Sequence, residues 1–381
     1  MLNRLAQSVA TLQGGSPFLG GKALERRRGR PFRARLGANE CLFGVSSAVR
    51  RAWQQALDEV GHYNDPTHHE LRAHIAASWG VGMEHVAVAE GIDSLLALLI
   101  HAFVEPGDAL VSSRGAYPTF DYLCVGHGAR LLQQPYAPDW TNDLGGLARL
   151  AQAERAKLLF LANPDNPTGS FADAPTLQAF LAALPADCLL LLDEAYAEFA
   201  PAAQCLASSV LAPNLVRLRT FSKAYGLAGA RVGYLVGPAE LVERLDRIRL
   251  HFGVAKMSQE IALAAHGDSG FLEQVVAATH EANRHYAELA RGCGLAALPS
   301  HANFVSIDFG HARRAAFVER WLEQRDVFVR RPPIAPLDRL IRVTAGPPAM
   351  REVFASALAE AVEAWDEEAV RSAESGPCHV P

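Results

Sequence analysis

Cys188-Leu189-Leu190-Leu191-Leu192-Asp193-Glu194-Ala195-Tyr196 sets five apolar residues directly ahead of two carboxylates. An unbroken apolar run, with no alternation, marks a strand buried on both faces, as in parallel sheets covered by helices. The same texture recurs on either side. Residues 86–89, 109–112, 131–133, 157–161, 215–219 and 232–236 are further short apolar runs. Helix-length segments separate them, and the interior of 93–103 is apolar nearly all round. This alternation predicts an α/β fold whose large domain is a doubly wound, mostly parallel sheet.

Beyond about residue 237 the pattern changes. Residues 239–251 and 271–292 carry helical periodicity with mixed charge, and 315–324 and 350–364 are further helix candidates. Residues 303–309, 327–330 and 340–344 alternate as strands of a smaller sheet, predicting a smaller α+β C-terminal domain. The expected division is an N-terminal arm and connector over 1–45, a large domain over 46–270 and a small domain over 271–381. The arginine-rich stretch 26–35, interrupted by Pro31, reads as an extended, solvated connector. The polar tail from Glu367 is expected to fray.

Composition narrows the functional classes. Of 381 residues, 50% are hydrophobic and 20% charged, which excludes disorder throughout. Thirty-six Lys and Arg against 41 Asp and Glu give a net charge of -5, against a nucleic-acid binder working through bulk positive potential. The longest apolar runs are too short to cross a bilayer. The first twelve residues have polar positions throughout, so no signal peptide is expected. The 6 cysteines lack a CxxC pair and predict reduced, mostly buried thiols in a cytoplasmic protein. His62, His68 and His69 have no metal-ligand spacing; they read as surface histidines, and no metal is expected.

Four stretches carry chemistry, each where an apolar strand gives way to a loop. Asn163-Pro164-Asp165-Asn166-Pro167-Thr168-Gly169 follows one strand and is rich in turn formers. Asp193 ends another, and a carboxylate at the end of so apolar a run is costly unless something cationic meets it. Ser222-Lys223 follows a third, between Phe221 and Tyr225; apolar surroundings favour the neutral, nucleophilic amine of a lysine. In Glu90-Gly91-Ile92-Asp93-Ser94 a strand ends and a helix begins, where free backbone N–H groups make a phosphate site. In a doubly wound sheet such loops converge along one edge. An aldehyde-reactive lysine, a buried aspartate, an asparagine, a tyrosine and a phosphate nest together match the needs of pyridoxal 5′-phosphate.

The pattern from Ser16-Pro17-Phe18-Leu19-Gly20-Gly21-Lys22 to Ile341-Arg342-Val343-Thr344 resembles the fold-type-I aminotransferases of class I/II. It is most similar to the histidinol-phosphate aminotransferase branch. The likeness includes the asparagine–proline heptapeptide, Asp193-Glu194-Ala195-Tyr196, and the run from Ser222-Lys223 through Gly226, Gly229 and Arg231 to Gly233-Tyr234. It implies that Lys223 forms the Schiff base and then moves the substrate's proton, with Asp193 beside the pyridine nitrogen. It implies that Asn166 and Tyr196 bond the phenolic oxygen, while Ser222, Arg231 and the backbone of Gly91, Ile92 and Asp93 hold the phosphate. Phe120 would stack on the ring. Tyr63 would reach the phosphate from a second subunit, making a homodimer. Arg342 would grip the amino-acid carboxylate through two parallel hydrogen bonds, with Arg330 as a second anion contact.

The departures bear on substrate. Phe18 stands where a tyrosine is usual, and Asn39-Glu40-Cys41-Leu42 where Asn-Glu-Asn-Pro is common. Glu90-Gly91-Ile92 replaces Asn-Gly-Ser/Ala, and asparagines common near Phe252-Gly253-Val254-Ala255 are absent. The expected reaction passes an amino group from a small amino acid or a histidinol-phosphate-like amino alcohol phosphate to a 2-oxo acid. A decarboxylase of the threonine-phosphate type and an aromatic amino acid aminotransferase remain alternatives. A binding protein that merely keeps the fold is disfavoured by the presence of Lys223.

Overall fold

The computed structural model describes residues 4–10, 12 and 20–374, and of 367–374 only the backbone. In chain order the strands are β1 (Ala34–Arg35), β2 (Val86–Ala89), β3 (Ala109–Ser113), β4 (Arg130–Gln134), β5 (Leu158–Ala162) and β6 (Leu189–Asp193). They continue with β7 (Leu215–Thr220), β8 (Gly233–Val236), β9 (Ala296–Ala297), β10 (Phe304–Asp308), β11 (Val327–Phe328) and β12 (Leu340–Thr344).

The central sheet has 7 strands in the order β2-β8-β7-β6-β5-β3-β4, parallel except that β8 opposes both its neighbours. Its middle strands are apolar without alternation because both faces are covered. Leu189, Leu191, Leu158 and Phe160 enter one core, while Leu190, Leu192, Leu159 and Leu161 enter another on the opposite face. The doubly wound α/β fold expected from the sequence is the one present. Since β2, β3, β5, β6 and β7 run the same way, the loops after Ala89, Ser113, Ala162, Asp193 and Thr220 share one edge. The register sets Ala162 beside Asp193, and Asp193 beside Leu218.

The C-terminal third builds the smaller lobe on the antiparallel sheet β12-β10-β9. Two features differ from the expected division. Arg26, Arg27 and Arg28 are not extended; they close the helix Gly21–Arg28, where cations favour the negative helix end and Gly29 caps at φ 73. The connector then forms β1, pairs with β11, and buries Ala34 and Leu36 in the small lobe's core. The helix Ser269–Gly292 serves both lobes. Val275 lies in the main core, whereas Ala282, Tyr286 and Ala290 lie in the smaller one. There the Tyr286 hydroxyl donates to the Thr344 carbonyl at 3.2 Å.

Three smaller expectations also change. Of the described cysteines only Cys124 and Cys188 are fully buried, and Cys41, Cys205 and Cys293 are half-buried free thiols. His68 is not at the surface; it is buried in left-handed backbone between Arg72 and Arg249, and its burial pushes it down to about 4. The C-terminal helix runs Pro348–Glu374, continuing through part of the tail expected to fray; residues 375–381 and Phe18 lie outside the described residues. Among the described residues no helix is long and apolar enough to cross a membrane.

Candidate active site

A cavity of about 390 Å³ opens at the shared strand edge, walled on one side by the connector residues Ala38 and Glu40. Asp193 and Lys223 both face it. Asp193 is the last residue of β6 and is 5% exposed. Its Oδ1 accepts a 2.9 Å hydrogen bond from the Ala195 amide, the only one its carboxylate makes among the described residues. Burial pushes this carboxyl up to about 7; nearby Asp93 acts the same way, and Lys223 opposes it. The Lys223 Nζ donates to the Asn39 carbonyl at 3.2 Å and lies 5.6 Å from the centre of the Tyr196 ring.

One end of the cavity suits an anion. The helix Ile92–Phe103 begins there with no side chain capping its first amides, which leaves N–H donors at its positive end. Arg231 reaches across the same point. Its Nη1 donates to the Ser222 Oγ at 3.3 Å, and its Nη2 lies 3.5 Å from Asp93. Gly91 is required here: at φ 88, a Cβ would sit 2.6 Å from Arg231 Nη2. Two aromatic residues line the wall, Tyr196 and Tyr117, and the Tyr117 hydroxyl donates to Asp93 at 3.0 Å.

Phe120 does not line the cavity. It is wholly buried on the helix Pro118–His127 and packs on Phe160, ring centres 5.1 Å apart. The helical repeat explains the correction. Phe120 and Cys124, four apart, share the face turned to the core, while Tyr117, just ahead of the helix, faces the cavity.

Arg342 is held with Asn166, and neither lines the cavity. The Arg342 Nη1 donates to Asn166 Oδ1 and its Nη2 to the Gly37 carbonyl at 3.4 Å, while its buried Nε has no partner among the described residues. Burial pulls Arg342 down to about 10. Arg330 bridges to Arg342 through the backbone, and its guanidinium lies 5.2 Å from the Phe328 ring centre. Tyr63 is elsewhere: 84% exposed, it rests its ring 4.9 Å from that of Phe252 and does not line the cavity.

Behind the cavity, Glu194 points away from Asp193 into a buried ion-pair cluster. Arg217 donates to both its carboxylate oxygens at 2.9 and 2.8 Å. Arg219 donates to Glu198 at 2.6 Å and lies 3.8 Å from Glu194. Trp79 lies under both arginines.

Residues 34–358 match the family model of the aminotransferases of class I and II. The chain belongs to the class I and II aminotransferases. These are pyridoxal 5′-phosphate-dependent transferases. Histidinol-phosphate aminotransferase 2 of Haemophilus influenzae is 32% identical over 95% of this chain and 98% of its own. That of Carboxydothermus hydrogenoformans is 34% identical over 92% and 98%. The crystal structure of the Sinorhizobium meliloti histidinol-phosphate aminotransferase, in complex with pyridoxal-5′-phosphate, matches with a TM-score of 0.91. It shares 41% identity and covers 95% of this chain and 98% of that one. A single mutant of the Thermus thermophilus aspartate aminotransferase, 22% identical with a TM-score of 0.78 over 94% and 99% of the two chains, has the same fold.

The residues present suit the cofactor of this aminotransferase family. A buried carboxyl lacks a close cation among the described residues, an amine faces the same space, and a guanidinium, a hydroxyl and a bare helix start surround one end. Tyr117, on this wall, and Asn39, bonded to Tyr196 and Lys223, had no role assigned from sequence. Tyr117 was hidden by the apolar neighbours that favour Phe120. Asn39 is 2% exposed at φ 54, a backbone region asparagine tolerates better than most side chains; a lone asparagine in a connector carries little signal for it.

Proposed function

We propose that this aminotransferase moves an amino group between a histidinol-phosphate-like amino alcohol phosphate and a 2-oxo acid, with Lys223 as the Schiff-base lysine. One observation carries the reading: Lys223 and Asp193 face a single cavity, with the Arg231–Ser222–Gly91 cluster at one end. When bound, the cofactor supplies an aldehyde to capture the amine and a ring to hold the electrons released at Cα. Everything else falls to the chain. Arg231, Ser222 and the amides of Gly91, Ile92 and Asp93 hold the phosphate. Asp193 keeps a proton on the ring nitrogen, and the nitrogen's positive charge relieves the cost of that buried carboxylate. Asn166 and Tyr196 donate to the phenolic oxygen, and Tyr117 covers the ring in the role expected of Phe120. With the cofactor bound, the Lys223 amine would carry the proton from the substrate's Cα.

Arg342, with Arg330 behind it, takes the anionic end of an amino acid partner through donors that include its unpartnered Nε. A second copy of the chain covers the exposed Tyr63–Phe252 ring pair, which brings Tyr63 to the neighbouring phosphate. Borohydride should fix the cofactor covalently to the native chain and not to Lys223→Ala, read by intact-protein mass; equal labelling of both chains breaks the assignment. Histidinol phosphate with 2-oxoglutarate should yield glutamate. Carbon dioxide released from an amino acid phosphate, with no acceptor present, would instead favour the decarboxylase reading.

A further inference from the structure

Asn39 sits where three parts of the molecule meet, and each polar atom of its side chain and backbone is engaged. Its N–H donates to the Thr344 Oγ1 at 3.0 Å. With that oxygen accepting, the Thr344 hydroxyl proton is free to be given back, and it goes to the Asn39 Oδ1 at 3.2 Å. The amide orientation is thereby set, leaving Nδ2 to donate to the Tyr196 hydroxyl oxygen at 2.9 Å. The Asn39 carbonyl accepts from the Asn303 Nδ2 at 3.0 Å and from the Lys223 Nζ at 3.2 Å. Apart from the half-buried Lys223, all of this is buried, and it joins the connector, the small lobe and the cavity wall.

A phenol oxygen that accepts one hydrogen bond must send its own proton elsewhere. Tyr196 lines the cavity, so with Asn39 donating on the other side its O–H is free to point inward. We infer that Asn39 is a positioning residue that aims the Tyr196 proton at the cofactor's phenolic oxygen. The inference rests on the aminotransferase reading above and names a residue that reading does not use. The relay begins at Thr344, in β12 of the small lobe, so the seating of that lobe also sets the polarity of a hydroxyl on the large one.

The test is the pH titration of the visible absorbance band of the holoenzyme. A donor aimed at the phenolic oxygen stabilises its anion, so losing the aim lets the chromophore keep its proton to higher pH. Asn39→Gly keeps the left-handed backbone and the carbonyl while removing the amide. It should raise the titration midpoint by roughly half to one pH unit, the size expected for one hydrogen bond. Its kcat should fall about tenfold, with KM for the amino donor changed less than about twofold. In a Tyr196→Phe background the same substitution should shift nothing further, because the group it aims is gone. Should Asn39→Gly fail to fold, Thr344→Val, which removes the orienting hydroxyl at constant volume, should give a smaller shift of the same sign, also abolished by Tyr196→Phe. An equal shift in both backgrounds, or no shift with Tyr196 intact, overturns the inference. Borohydride labelling that survives Lys223→Ala would sink the underlying reading instead; labelling lost together with equal shifts sinks Asn39 alone.

Discussion

Asp193 and Glu194 are consecutive carboxylates at the end of one buried strand, and the chain treats them in opposite ways. Glu194 is closed inside the protein: two parallel bonds from Arg217, with Arg219 and Glu198 behind, satisfy it completely. Asp193 is as deeply buried but gets a single backbone donor, and its proton affinity rises to about 7. A buried charge matched within the protein is part of the structure. One left unmatched beside a cavity is what the proposed function reserves for a ligand that brings the missing charge.

Breaking the matched member should have the largest effect on folding. Glu194→Gln strands Arg217 and Arg219 without their shared counter-charge and should cost about 3–5 kcal/mol of stability, read by denaturant unfolding. An unchanged midpoint would dissolve the contrast. The unmatched member should act on rate instead. Asp193→Asn should lower turnover on the order of 100-fold, the usual scale for charge stabilisation in an active site, with the fold intact by thermal melting. Near-normal turnover would refute its role.

The same residue gives the contrast a pH signature in the cofactor-free protein. Its folded-state pKa, about 7, lies above the usual 3.8, so between these values the folded state holds a proton that the unfolded state has released. Stability from this group is therefore present below about pH 4 and lost as the pH rises towards 7, by up to about 1.4 kcal/mol per unit. Subtracting the profile of Asp193→Asn from that of the native chain isolates this slope; parallel profiles would deny it. The smallest effect belongs to the aromatic pair. Tyr117→Phe loses the bond to Asp93 and should weaken cofactor binding roughly two- to tenfold, whereas Phe120→Leu should leave binding unchanged. The opposite ranking by titration would restore Phe120 to the site.

The sheet and most of the cavity were legible because their signal is local. A strand buried on both faces declares itself in five consecutive apolar residues, and the loop after it then needs no further information to be placed at the edge. Asp193, Ser222 and Lys223 came from that argument, and Arg231 from the family resemblance. What escaped depends on direction or distance. Tyr117 and Phe120 are three residues apart, and only the point where the helix begins separates cavity from core. Arg26, Arg27 and Arg28 read as a solvated run because the helix they close is held by Asp326, far along the chain. Asn39 matters through partners at 196, 303 and 344, and no local pattern marks an asparagine for that.

The helix Ser269–Gly292 is a rod of 24 residues, about 36 Å at the usual rise per residue. Its first half is clamped in the main core, and its second half touches the Thr344 carbonyl through Tyr286. It is thus a lever arm with its fulcrum among the large-lobe side chains. A tilt of about 5° at Val275 would sweep the far end by roughly 2–3 Å, as far as a hydrogen bond is long. Packing at residues remote from any ligand therefore sets how finely β12, with Arg342 on it, is registered against the opposite wall.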